Sequence, residues 1–409
     1  MGAVIEAELV GERSVGSSDR TGPSWWRRNA RPVLFWTHLV AGLVSGVVVL
    51  IMSVTGVLLT YQKQMTSWAD LRGLAGGPPA AGATRLSADS LLRRLRSDSA
   101  LTPTSIVWRN NASAPVEMVL PQQRRLFVNG YTGHVLGSGS ADMRKFFRVV
   151  TDWHRWLAMS GERRDTGRMI TGASNLAFLL LVLTGIWLWW PRNATRVAFR
   201  SVMRFRGGLS SKARDFNWHH VIGFWSFIPL AIIVASGVVI SYPWASDLVY
   251  RVAGEAPPRR EAAPTPPAGP RNEAARPPVI SIDAALATAT ARVSDWRTIS
   301  LTLPRNDTAA LAFTIDRGMG GEPTKRAQLA LASDGTERRW QPFESQSTAR
   351  RWRSILRFAH TGEVLGFAGQ TIAGLLSLGA TLLVYTGLAL SWRRFWAWRR
   401  RAALRAGAP

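Results

Sequence analysis

Val33 to Tyr61 is an apolar run long enough to cross a lipid bilayer, and further runs follow at Ile170 to Trp190, Val221 to Tyr242 and Phe367 to Trp392. A bilayer core takes about 20 helical residues to span. Inside it every backbone donor and acceptor must be satisfied within the segment, so such runs fold as helices. The sequence therefore predicts an α-helical membrane protein with four transmembrane helices. The first run follows a charged leader, is longer than a signal-peptide core and has no small-residue cleavage site behind it, so it reads as an uncleaved anchor.

The first and third runs are versions of one unit. With His38 set on His219, Gly42 falls on Gly223, Ser45 on Ser226, Thr55-Gly56 on Ser236-Gly237, and Tyr61 on Tyr242. At about 100° per residue, offsets of +4, +7 and +18 lie within roughly 40° of the histidine. Each histidine thus looks along a Gly/Ser stripe that would admit a flat group or a close backbone. The second and fourth runs also correspond: His154 precedes Thr184-Gly185 and Trp190 as His360 precedes Thr386-Gly387 and Trp392. The chain reads as two tandem repeats.

Charge sets the expected orientation. Between the second and third runs stand Arg192, Arg196, Arg200, Arg204, Arg206, Lys212 and Arg214 against the single acid Asp215, which marks that side as cytoplasmic. The leader and the arginine-rich tail agree, so both termini are expected on the cytoplasmic side. The formal charge of +25 would suit nucleic acid, but its basic runs flank apolar spans without a recognition module; anionic headgroups and topology explain it. With no cysteine, disulfides, iron–sulfur clusters and covalent haem attachment are excluded.

In order, the chain reads as a cytoplasmic leader (1–32), with Trp25-Trp26 as an interface anchor, then span one (33–61) and a first small external α+β domain (62–143). That domain opens on a linker, continues with a helix capped at Ser87 and strands in SIVWRN, PVEMVL and RRLFVN, and closes on the turn YTGHVLG. A surface helix and break (144–168) lead to span two (169–190), a basic cytoplasmic loop (191–218) and span three (219–243), which Pro229 is expected to kink. A Pro-rich linker (244–278) precedes a second external domain (279–347), with the helix SIDAALATATARV and strands in TISLTLP, ALAFTID and AQLALAS. A surface helix (348–363), span four (364–392) and a basic cytoplasmic tail (393–409) complete it.

Of six histidines, four occupy repeat-equivalent places: His38 with His219 at the inner ends of spans one and three, and His154 with His360 at the outer entrances of spans two and four. Ionisable residues at a span are functional candidates. Two helices offering one histidine each at one depth suit a bis-imidazole haem, with Gly42 and Gly223 making room. Two such pairs, one near each face, would conduct electrons across the bilayer. Zinc would want three or four converging ligands, and a proton relay would want acids inside the spans. The repeat selects His219 over His220, the second choice; His134 reads as a solvated turn residue. Arg155 and Arg357, with Arg148 and Arg353, would pair haem propionates or an anionic substrate, or equally lipid headgroups.

In HLVAG (His38 to Gly42), DWHRWL (Asp152 to Leu157), HHVIG (His219 to Gly223) and HTGEVLG (His360 to Gly366), the chain resembles the PepSY-associated transmembrane helix family of iron-regulated bacterial membrane proteins, which includes ferric-siderophore reductases. YTGHVLG and SIDAALATATARV look like pieces of PepSY domains. The resemblance implies two small PepSY-like periplasmic domains and two b-type haems, held by His38 with His219 and by His154 with His360. It also implies reduction of a ferric siderophore outside, releasing Fe(II). Electrons would come from quinol or a cytoplasmic reductase, since no nicotinamide or flavin module is recognisable. The alternative is a non-enzymatic anchored PepSY protein that binds or regulates a periplasmic partner. A transporter is disfavoured, because both halves start on the same side and the spans lack a charged pathway residue.

Overall fold

The computed structural model describes residues 25–406, apart from 75, 79, 81, 100, 192–194, 259–279 and 304–309. The leader up to 24, the core of the Pro-rich linker and Arg192 lie outside the described residues, as do the side chains of Trp25 and Trp26.

Among the described residues the order is α1 (Trp25–Leu59), α2 (Gln62–Leu71), α3 (Ala88–Ser99), β1 (Ser105–Arg109), β2 (Val116–Val119), β3 (Arg125–Val128), β4 (Val135–Gly137), α4 (Ala141–Trp156), α5 (Arg164–Trp189), α6 (Arg196–Met203) and α7 (Ser211–Ser241). Then come α8 (Pro243–Val252), α9 (Ile282–Arg292), β5 (Thr298–Thr302), β6 (Leu311–Asp316), β7 (Arg326–Leu331), β8 (Glu337–Pro342), α10 (Thr348–His360) and α11 (Gly366–Ala406). Among the described residues four helices are long and apolar enough to cross a membrane: Ala30–Leu59, Gly161–Trp189, Ser211–Ser241 and Glu363–Arg405. Their outward faces carry apolar side chains that water would penalise, such as Val44 at 80% and Ile228 at 67% exposure. α7 runs as one helix through Pro229.

The spans form a ring in which α1 and α7 each pack on both α5 and α11, leaving α1 and α7 diagonal. At the end carrying the chain termini, Arg31 donates to the Leu188 and Trp190 carbonyls, and Arg393 bonds the buried Asp215 at 2.6 Å. α11 continues well past Trp392, where the apolar run ends, because Arg and Ala sustain a helix and arginine stems cover apolar surface.

At the opposite end the strands form one antiparallel sheet, ordered β4-β3-β2-β1-β5-β6-β7-β8. The segments expected as two separate small domains are therefore joined: β1 pairs with β5 from Ser105↔Thr302 to Arg109↔Thr298. Alternation explains the layering, since Ile106, Met118, Ile299, Leu301, Phe313 and Leu329 turn one face into a core under α3 and α9. The two helices cap each other. Asp283 accepts from the Ala88 amide at 2.7 Å, and Asp89 from that of Ile282 at 3.2 Å. Ser87 caps α3 as expected, accepting from the Ser90 amide at 3.0 Å. β8 was not legible as a strand because charge fills it, which suits a sheet edge. Helices α2, α6 and α8 likewise occupy stretches expected as linker or loop.

α4 and α10 lie between the sheet and the spans. α4 is a helix separate from α5: it stops at Leu157, whose φ of 52° is left-handed, and a short turn over Gly161–Arg163 intervenes. The two helices meet at Gly167, where an added Cβ would overlap the Trp156 carbonyl.

Candidate functional site

His38 on α1 and His219 on α7 sit at matched depths near the terminus end of the bundle, and each is held by the neighbouring span. His38 Nδ1 lies 2.9 Å from Thr184 Oγ1 on α5, and His219 Nδ1 lies 3.0 Å from Thr386 Oγ1 on α11. Toward the sheet the roles reverse: the spans supply hydroxyls and the surface helices supply imidazoles. Thr55 Oγ1 on α1 lies 2.9 Å from His154 Nδ1. On α7, Ser236 Oγ lies 3.3 Å from His360 Nδ1, and the Ile233 carbonyl lies 2.9 Å from it.

Each hydroxyl has already placed its hydrogen on a carbonyl one turn back: Thr184 on Leu180 and Thr386 on Leu382, both at 2.7 Å, Thr55 on Ile51 and Ser236 on Ile233, both at 2.6 Å. What remains on each oxygen is a lone pair, which can only accept. Assigned from this network, Nδ1 carries the proton in all four rings, and Nε2 keeps its lone pair for a ligand.

A glycine follows each hydroxyl residue in sequence and lies against the ring it holds. An added Cβ would stand 3.5 Å from His38 Cε1 at Gly185, 3.4 Å from His219 at Gly387, 3.6 Å from His154 at Gly56 and 3.2 Å from His360 at Gly237. Gly42 and Gly223, expected to make room beside the inner histidines, instead face Leu181 at 3.8 Å and Leu383 at 3.6 Å. The four hydroxyl–glycine pairs were visible in the sequence only as matched letters; their role needs the neighbouring helix.

His154 and His360 face one another with ring centroids 6.3 Å apart. Two imidazoles bound through Nε2 to one metal, with bonds of about 2.0 Å and ring centres about 1.2 Å behind each nitrogen, put centroids about 6.4 Å apart. The observed 6.3 Å is close to that figure. Burial, with His360 alongside, pushes His154 down to about 4, and burial lowers His360 too, so both rings are neutral and able to ligate. Among the described residues no three His, Cys, Asp or Glu converge to hold a metal ion.

Of the arginines expected beside the outer histidines, Arg155 lies next to His154 on α4, and Arg353 and Arg357 line a pocket on α10. Arg155 stacks on Trp156, 4.6 Å from its ring centre. Burial and the charges of Arg164, Arg168 and Arg357 press its guanidinium below the usual value, which marks a site short of negative charge. His220 turns back on its own helix, Nδ1 to the Phe216 carbonyl at 3.0 Å and ring 4.1 Å from that of Phe216. His134 is exposed in its turn, as expected.

Four crossing-competent helices and an eight-stranded sheet, with histidine pairs held at both ends of the bundle, define a multi-span membrane protein. The model of the PepSY-associated TM region family matches residues 35–394, and the chain belongs to that family. A search of curated proteins finds no match.

Proposed function

We propose that the protein is a di-haem b oxidoreductase of a bacterial inner membrane, passing electrons outward to reduce a periplasmic ferric chelate, in the manner of a ferric-siderophore reductase. The observation that carries this is the shared state of four repeat-matched histidines: proton on Nδ1, lone pair on Nε2, glycine against the ring. Each histidine pair would hold one haem through Nε2, a group that would bring its remaining iron donors with it. The 6.3 Å spacing of His154 and His360 suits that arrangement.

Haem held in this way supplies one-electron chemistry at an iron potential set by the ligands and their hydrogen bonds. His38 and His219 would hold the inner group, His154 and His360 the outer one. Along α1 the two sites are marked by His38 and by Thr55, the partner of His154, and 17 residues of helix rise about 25 Å. Arg155 and Arg357 are disposed to neutralise propionates at the outer site. The basic segment around α6 and the arginine-rich end of α11 would face the cytoplasm and the sheet the periplasm, by the bias of positive charge. The helix–strand order shared by α3 with β1–β4 and α9 with β5–β8 supports two PepSY-like halves of a tandem repeat.

The ferric ion is substrate. One electron from quinol or a cytoplasmic reductase converts it to Fe(II), which hard oxygen donors hold less tightly. Purified protein, reduced anaerobically and freed of reductant, should convert an added ferric chelate to Fe(II) that a chromogenic ferrous trap records, up to two per chain. Haem-replete protein that delivers no Fe(II) to any chelate would support instead an anchored PepSY protein acting on a partner.

A further inference from the structure

The sheet edge and α10 enclose a pocket of about 500 Å³. Arg350, Arg353 and Arg357 line it from one face of α10, three and four residues apart, and Arg339 reaches it from β8. Gln328 and Gln341, partners across the β7–β8 ladder, project from the same sheet face as Arg339. No carboxylate lines this pocket, and among the described residues none of these four arginines forms an ion pair. The carboxylate beside Arg350 is Glu255, and it is engaged in capping α10, accepting from Ser347 Oγ at 2.6 Å and the Ala349 amide at 3.0 Å. Arg357 precedes the outer ligand candidate His360 by about one helical turn, roughly 5 Å of rise.

We infer that this pocket binds the ferric substrate, and that the substrate is polyanionic and oxygen-rich, a ferric ion carrying several carboxylate or catecholate groups. The inference rests on the proposed reductase function. Four guanidiniums, with the carboxylate of Glu255 beside Arg350, repel a cationic complex and gain little from a neutral one, whereas forked N–H donors match carboxylate oxygens two at a time. Glutamine amides give further donors on the opposite wall. The volume lies within the range of small-molecule sites, about 300–1,000 Å³. Reduction adds one electron to the iron and leaves the organic acid in place. The product is more negative by one charge, and its Fe(II) is free to leave.

Phosphate headgroups share this chemistry, because Val239 and Ile240 at the sheet end of α7 border the pocket. The experiment therefore uses the full chain in zwitterionic phosphatidylcholine nanodiscs, with gallium(III) citrate as a probe that binds like the ferric complex and accepts no electron. Equilibrium dialysis should give saturable binding that weakens with salt. Arg339→Gln with Arg350→Gln should weaken it about tenfold or more, and Arg339→Lys with Arg350→Lys should recover part of the loss. The gallium complex of a neutral trihydroxamate should show no dependence on these arginines. The visible spectrum of each variant serves as the control for folding. Binding unchanged by the glutamine pair, or equal binding of the neutral complex, would overturn the inference. So would native mass spectra showing phosphatidylglycerol retained through these arginines and gallium citrate unable to displace it. Because gallium is not reduced, a pocket that binds without Fe(II) production contradicts the reductase reading alone, and reduction without binding here contradicts the pocket alone.

Discussion

The imidazole of His154 lies 6.3 Å from that of His360, ring centre to ring centre, on surface helices from opposite halves of the chain. Each is held from behind, by Thr55 and by Ser236 with Ile233, which fixes both rings from the side away from the pair. Preorganisation of this kind is what a ligand set with few rotamer choices needs.

His219 and its neighbour His220 should behave differently. His219→Ala removes a ring held by Thr386, and haem per chain should fall by about half, as it should for His38→Ala. His220→Ala removes a ring bonded within its own helix and should leave haem content unchanged. Pyridine haemochrome assays of the purified variants check both.

Thr184→Val keeps shape and removes the oxygen that accepts from His38 Nδ1. Loss of such a partner costs about 10–100-fold in metal affinity. It also makes the imidazole a weaker donor, so the inner midpoint potential should rise. Thr386→Val should do the same for His219, and Thr184→Ser, which keeps the hydroxyl, should restore the parent value in a redox titration.

Much of this was readable beforehand. The four spans follow from hydropathy, and the matched positions of His38, His219, His154 and His360 from register, because lipid restricts every position of those segments. The hydroxyl partners escaped, since Thr55 and Thr184 acquire a role only against a histidine on another helix. β8 escaped because Glu337, Arg338 and Arg339 carry no strand-like apolar alternation. The union of both segments into one sheet is a long-range pairing of β1 with β5 that no local pattern encodes.

Asp89 should make the sheet domain sensitive to pH. Burial raises its carboxyl above the usual value, and Asp283 beside it adds to this. A raised acid binds its proton more tightly folded than unfolded, so its favourable contribution is complete below the unfolded value near pH 4 and is lost as pH rises through the folded one. Asp89→Asn keeps the acceptor for the Ile282 amide and removes the charge. Its melting temperature should exceed the parent's at pH 7.5, with a margin that shrinks toward pH 4.5; a constant margin would place the effect elsewhere.

The visible spectrum of the full-length protein, purified in detergent from haem-replete cells, bears most directly on the proposed function. Two b-type haems per chain should give a Soret band that sharpens and shifts on dithionite reduction, with about half the absorbance lost in His154→Ala and about half in His38→Ala. A folded, colourless preparation would contradict the assignment of these four histidines as haem ligands.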